Sequence, residues 1–255
     1  MYKIIKYVIV DILRNRIMIA YTIFLLAIST GLLTLQDNPS KGLLGQLNII
    51  LIIVPLISIV FSNIYVYHSS EFLELMVSQP LKRTVIWLSL FIGLASSLAI
   101  AFFLGAGIPI ILFAGSGAGL VMLLTGVILS VIFVALAVLA AVLTRDKAKG
   151  VGLSILLWFY FSILFDGIVL FILFQFQDYP LEKVMIGITA FNPVDLSRIM
   201  ILLKMDISAM MGYTGGVLRE YFGNQNGLQI SLAILVLWII VPVWISLRTF
   251  QKRDL

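Results

Sequence analysis

Long apolar stretches alternate with short polar breaks along the whole chain. Six of them, at residues 17–35, 47–66, 85–105, 120–143, 151–174 and 230–247, run for about 20 residues with almost no charge. A helix of that length covers about 30 Å, the hydrocarbon thickness of a bilayer. The pattern predicts an all-α integral membrane protein with six transmembrane helices, one membrane domain over residues 1–255. Pro55, inside the second run, predicts a kink whose freed carbonyl is satisfied by neighbouring helices.

The breaks between the runs differ in character. Residues 1–16 place Ile4, Ile5, Val8 and Ile12 on one helical face, with Lys3, Lys6, Asp11, Arg14 and Arg16 interspersed. They read as a basic amphipathic helix resting on the cytoplasmic leaflet. A cleaved signal peptide is the competing reading, but the apolar run that follows is too long and no A-x-A site follows it. Residues 36–46 form a polar loop. Residues 105–119 hold Pro109 and several glycines, which reads as an apolar tight turn at the bilayer interface. Residues 144–150 are a charged loop. Residues 175–229 are the one long stretch without a span, with amphipathic pieces at 192–205 and 208–222 and glycines at 212, 215, 216, 223 and 227.

Residues 68–84, HSSEFLELMVSQPLKRT, stand apart. Ser69 and Ser70 suit a helix start, and Glu71 and Glu74 suit the positive end of its dipole. Phe72, Leu75 and Met76 recur at i, i+3 and i+4 and share a face, with Glu71, Glu74 and Ser78 elsewhere on the wheel. Pro80 biases Gln79 away from helix, and Lys82 and Arg83 precede the third run. The segment reads as a short helix on the membrane surface between two spans. An ordinary solvated loop is the alternative.

Composition agrees with the pattern. Hydrophobic residues make up 62% of the 255 and charged residues 11%, against about 25% charged in a soluble domain. Mean hydropathy is +1.14. With no cysteine, disulfides, thiolate metal sites and cysteine nucleophiles are excluded. The net charge of +5 needs no nucleic acid to explain it. Twelve of the seventeen Lys and Arg fall in the N-terminal segment, residues 67–84, residues 144–150 and the C-terminal tail. The positive-inside rule then places both termini in the cytoplasm and residues 175–229 outside.

Catalytic signatures are absent: there is no H-E-x-x-H, no G-x-S-x-G and no G-x-x-x-x-G-K-[ST]. The single histidine, His68, sits at a membrane edge, where it reads as an interfacial side chain. No catalytic residue and no metal ligand is assigned. Met200, Met205, Met210 and Met211 make a thioether copper path conceivable, but with no M-x-x-M run and no supporting Cys or His they read as adaptable apolar filler.

Asp166 falls inside the fifth run, where a carboxylate costs about 2.5–3.5 kcal/mol at the bilayer centre. It reads either as a gate, proton-linked or subunit-contact group, or as a carboxylate near the outer interface beside Gly167. In FNPVDLSRIMILLKMD, Asn192 and Pro193 start a helix, Asp195 suits its first turn, and Arg198 at i+3 can pair with Asp195. This outward helix start either docks a partner or is a capped re-entrant helix.

The amphipathic N-terminus, the six runs, the segment E-F-L-E-L-M-V-S-Q-P-L-K-R and a C-terminal F-x-x-R-D-L together resemble type-2 ATP-binding-cassette (ABC) permeases. Their segment often reads E-x-G-T-L-E-L-L-L-x-x-P-x-S-R. Glu74, Leu75, Pro80 and Arg83 match it, whereas Phe72 replaces the glycine-threonine lead and Lys82 replaces Ser. The resemblance implies that residues 68–84 are a coupling helix inserted into a separate cytoplasmic ABC ATPase, with Glu71, Phe72, Glu74, Leu75, Met76, Gln79, Pro80 and Arg83 docking it. ATP and Mg would belong to that partner, with no cofactor on this chain. It also implies a homodimer in a bacterial inner membrane.

Within the family, F-N-P-V-D-L-S-R-I-M-I-L-L and the downstream M-M-G-Y-T-G resemble the permeases of nitrous oxide reductase maturation, with a departure at Ser197, where Tyr is common. This implies a periplasmic copper-chaperone-like β-helical partner facing Asn192, Pro193, Asp195 and Arg198. Motion driven by ATP would be relayed to it in support of copper-site assembly. An ABC exporter of lipid, drug or peptide, and an ion-coupled transporter using Asp166, are the alternatives.

Overall fold

A computed structural model describes residues 1–36, 39–79, 81–115, 117–144, 146–176, 187–205 and 225–252. Pro80, Arg145, the amphipathic piece at 208–222, Met210, Met211 and the last three residues lie outside the described residues. What is described is helical, with no strand. Six helices are long and apolar enough to cross a membrane: Arg16–Thr34, Lys41–His68, Arg83–Ala114, Gly117–Leu143, Lys147–Ile172 and Gly227–Lys252. They are called spans one to six here. Alternation of the spans puts the N-terminal helix Tyr2–Leu13, the short helix Ser70–Val77 and the end of span six at one end of the bundle, the terminal end.

Span four is the axis of the fold and the most buried span. Its inner surface is built from small residues, among them Ala135, Ala137, Ala140 and Ala141, so neighbouring helices approach closely. Gly126 marks one such close approach: a Cβ there would strike the Phe102 ring of span three. Spans one, five and six form the rim and expose apolar faces. Some polar groups inside the bundle find partners across helices. Gln46 Nε2 donates to Ser29 Oγ at 2.6 Å, and Trp87 Nε1 donates to Ser246 Oγ at 2.8 Å.

Span three departs from the turn expected over 105–119. Its helix continues through a π-turn, Phe103–Gly107, into Ile108–Ala114. The wider π-turn accommodates Pro109, which has no N–H to give to a regular helix and would clash with the carbonyl four residues back. The glycines serve packing: a Cβ at Gly105 would lie 2.8 Å from Leu25 Cβ and 2.9 Å from the Thr22 carbonyl oxygen of span one. Span five begins earlier than expected. Asp146 caps it, accepting from the Lys149 N–H at 3.0 Å. The backbone N–H groups of Lys149 and Ala148 hold this exposed carboxyl below its usual range.

The N-terminal helix buries Val8 and Ile12, on the face expected from its sequence. That face lies against protein rather than lipid. At Gly93 of span three, an added Cβ would stand 2.6 Å from Val8 Cγ1. Asp11 accepts a hydrogen bond from the Tyr65 hydroxyl at 3.0 Å, fastening the helix to span two.

Candidate functional site

The helix Ser70–Val77 has only eight residues, too few to be stable alone, so packing must hold it. Leu73 is its buried anchor, with Phe72, Met76 and Val77 half-buried around it. The Tyr7 ring of the N-terminal helix stacks on Phe72 at 5.4 Å. Ser69 takes the N-cap position without a side-chain cap bond, and Ser78 Oγ closes the other end on the Leu75 carbonyl at 2.8 Å.

This geometry corrects one expectation. Leu75 does not share the anchoring face with Phe72 and Met76; it is 64% exposed. Glu71, Glu74, Leu75 and Ser78 are all exposed and recur at i, i+3, i+4 and i+7. The outward surface is thus a leucine flanked by two glutamates, with Gln79 exposed beyond it. Arg83 is placed differently from the other candidates. Its Nη1 donates to the Gln251 carbonyl at 3.3 Å, stitching the start of span three to the last turn of span six. His68 Nδ1 lies 3.4 Å from Lys147 Nζ.

At the far end, the helix Pro193–Lys204 begins deep in the bundle. Asn192 is fully buried, and its two functions are divided between its amide atoms. Oδ1 accepts from the Val194 N–H at 2.9 Å and caps the helix. Nδ2 donates at 2.8 Å to the Phe161 carbonyl, within the π-turn Tyr160–Leu164 of span five. Pro193 occupies the first turn, where its missing N–H costs nothing. Two residues upstream of the cap, the Ala190 carbonyl accepts from Trp238 Nε1 of span six at 3.1 Å.

Phe161 and Trp238 lie near the middle of their 26-residue spans. At about 1.5 Å per residue, the helix start is therefore near mid-depth. Its other end reaches the start of span four, where a Cβ at Gly117 would lie 3.2 Å from Lys204 Cε. The 12-residue helix is re-entrant: it covers about 18 Å, roughly half the bilayer. Its apolar side, Val194, Leu196, Met200 and Ile201, is buried.

Two groups that are distant in the sequence meet on this helix. Arg198 Nη1 contacts Asp166 Oδ2 at 2.7 Å and Asp195 Oδ1 at 2.9 Å. The intramembrane carboxylate is thus paired, and the pair fastens span five to the re-entrant helix beyond the π-turn. The i+3 spacing made the Asp195–Arg198 pair readable; nothing in the sequence pointed to Asp166, Phe161 or Trp238 as their partners. Among the described residues no group of three or more His, Cys, Asp or Glu is placed to hold a metal ion. Met200 is packed in the core.

The chain has counterparts among known proteins. Residues 3–255 match the family model described as ABC-2 family transporter protein. The chain is 25% identical over 258 residues to the probable ABC transporter permease protein NosY of Stutzerimonas stutzeri, covering 92% of this chain and 90% of that protein. It is 25% identical over 256 residues to the probable NosY permease of Pseudomonas aeruginosa, covering 92% and 89%. With six membrane-crossing helices and a family match over nearly its whole length, the chain belongs to the ABC-2 transporter family, as a multi-pass permease component.

Proposed function

We propose that this permease works in nitrous oxide reductase maturation. In this reading it couples ATP hydrolysis by a separate cytoplasmic ATPase to a periplasmic partner that supports copper-site assembly. The collinear similarity to the two NosY permeases carries the reading. Two features of the fold support it. At the terminal end, Glu71, Glu74 and Leu75 form an exposed acidic-apolar surface on a helix anchored by Leu73, suited to grip an ATPase. At the far end, the Asp166–Arg198–Asp195 clasp and the Asn192 bond hold the re-entrant helix to span five.

The mechanism is mechanical. Both termini lie in the cytoplasm, two copies form a homodimer, and each docks one ATPase through residues 70–80. Nucleotide-driven closure draws the two short helices together. Spans five and six transmit the movement to residues 187–204 and so to the periplasmic β-helical partner at Asn192, Pro193, Asp195 and Arg198. The partner responds only insofar as it binds the two states differently.

An exporter of lipid, drug or peptide is the second reading, favoured by one observation: an apolar cavity of about 350 Å³ beside Trp238. The ion-coupled reading is weakened by the commitment of Asp166 to Arg198.

The decisive experiment replaces the NosY permease of Stutzerimonas stutzeri with this chain and its neighbouring ATPase. The proposed function predicts copper-loaded, active nitrous oxide reductase. Copper-free enzyme, with the chain in the membrane and its ATPase bound, would refute the maturation role while leaving the permease assignment intact.

A further inference from the structure

On span six, Ile234, Leu237, Val241, Trp244 and Arg248 recur at spacings of three and four residues and form one stripe on the rim of the bundle. The stripe has two distinct ends. Near mid-depth is the cavity of about 350 Å³, walled by Ala190, Phe191, Ile234, Leu237, Trp238 and Val241. Its size falls in the range of ligand-binding clefts. The polar atoms nearest it, Trp238 Nε1 and the Ala190 carbonyl, are bonded to each other, so its walls offer only hydrocarbon. Leu237 and Val241 are half-exposed at its mouth, on the side that faces lipid.

At the terminal end of the stripe, the Arg248 guanidinium lies 3.7 Å from the centre of the Trp244 ring. Cation–π stacking holds it at the depth where interfacial tryptophans sit and leaves its N–H edge available to an anion. Lys252 follows one turn later, exposed like Arg248. Neither ion pair among the described residues involves Arg248 or Lys252. Leu237 and Arg248 are eleven residues apart, about 16 Å along the helix. That is close to half the bilayer's hydrocarbon thickness, about 15 Å.

We propose that span six binds one anionic phospholipid from the leaflet at the terminal end. Arg248 and Lys252 hold its phosphate, and one acyl chain lies along Trp244 and Val241 with its tail in the cavity beside Trp238. A planar guanidinium suits bidentate contact with a phosphate, and the apolar cavity excludes a polar occupant. The two ends discriminate together: the cations select headgroup charge and the cavity selects a tail long enough to reach it.

The test uses the purified full-length chain in detergent, offered equal amounts of phosphatidylglycerol and phosphatidylcholine with matched acyl chains. Lipid retained through size exclusion is quantified by mass spectrometry. The expected result is retention of phosphatidylglycerol about tenfold above phosphatidylcholine, lost in Arg248→Gln, since a charged hydrogen-bond partner is worth about that factor. Arg248→Lys keeps the charge without the planar stack and should retain an intermediate amount. Val241→Trp fills the cavity mouth and should lower retention with the cations in place. All these residues lie on the rim, so each variant should elute as the wild type does. Equal retention of the two lipids, or unchanged retention in Arg248→Gln, overturns the headgroup site. Unchanged retention in Val241→Trp overturns the tail seat.

Discussion

Asp166 and Arg198, separated by 32 positions in the chain, meet at 2.7 Å and join span five to the re-entrant helix. Asp195 approaches the same guanidinium at 2.9 Å, so one cation serves two carboxylates. The two substitutions of this clasp are not equivalent. Arg198→Met leaves two neighbouring carboxylates without a cation and should cost about 2–4 kcal/mol, whereas Asp166→Asn keeps one pair and should cost about 1 kcal/mol. Thermal unfolding of the purified variants gives the order directly. Midpoints unchanged from the wild type's would mean that the clasp contributes nothing to the native state.

Asn192 carries two bonds that substitution can separate. Asn192→Asp keeps the oxygen that caps Val194 but loses the donor to Phe161; Asn192→Ala loses both. A cap is worth about 1 kcal/mol, and a stranded buried carbonyl costs about 1–3 kcal/mol. Asn192→Ala should therefore lower the unfolding midpoint distinctly. A shift as small as that of a surface substitution would count against the buried placement.

Glu74 and Leu73 are neighbours with opposite duties. Glu74→Lys reverses a charge on the exposed face and should reduce copurification of the ATPase about tenfold with the unfolding midpoint unchanged. Leu73→Ala removes the anchor and should lower stability by about 2–5 kcal/mol. A normal yield of ATPase with Glu74→Lys would discard this face as the docking surface.

Gly93 fixes the N-terminal helix against span three. Gly93→Leu has no room for its side chain beside Val8 and should lift that helix off, exposing residues 1–14 to protease. The same cleavage rate as in the wild type would show that the helix is held elsewhere.

Because the chain has no cysteine, introduced ones report orientation without background. Lys147→Cys should react with a membrane-impermeant maleimide only in inside-out vesicles, and Lys41→Cys only in spheroplasts. The reverse pattern would invert the proposed topology.

Much of the bundle is readable in the chain because lipid imposes a simple rule: long apolar runs become spans. The rule gives out where glycine and proline mean something other than a turn. Gly105 and Pro109 look like loop residues, yet one lets span one approach and the other is absorbed by a π-turn. The amphipathic pattern of Ser70–Val77 suggested a helix but misassigned Leu75. In so short a helix the buried direction is set by what packs on it, here by Leu73 and the Tyr7–Phe72 stack. The start at Asn192 was visible from its cap chemistry. Its depth was not, because depth depends on Phe161 and Trp238, which carry no polar pattern of their own.

The contact from Arg83 to the Gln251 carbonyl has a practical corollary. In the proposed mechanism, the chain's last helical turn is bolted to the base of the lever that an ATPase would push. A fluorescent or affinity tag fused just behind it is therefore an added load on the moving part, and turnover measured with such a fusion would describe a hobbled machine. Labels belong instead between the first two spans, which the proposed topology puts at the other face of the bilayer.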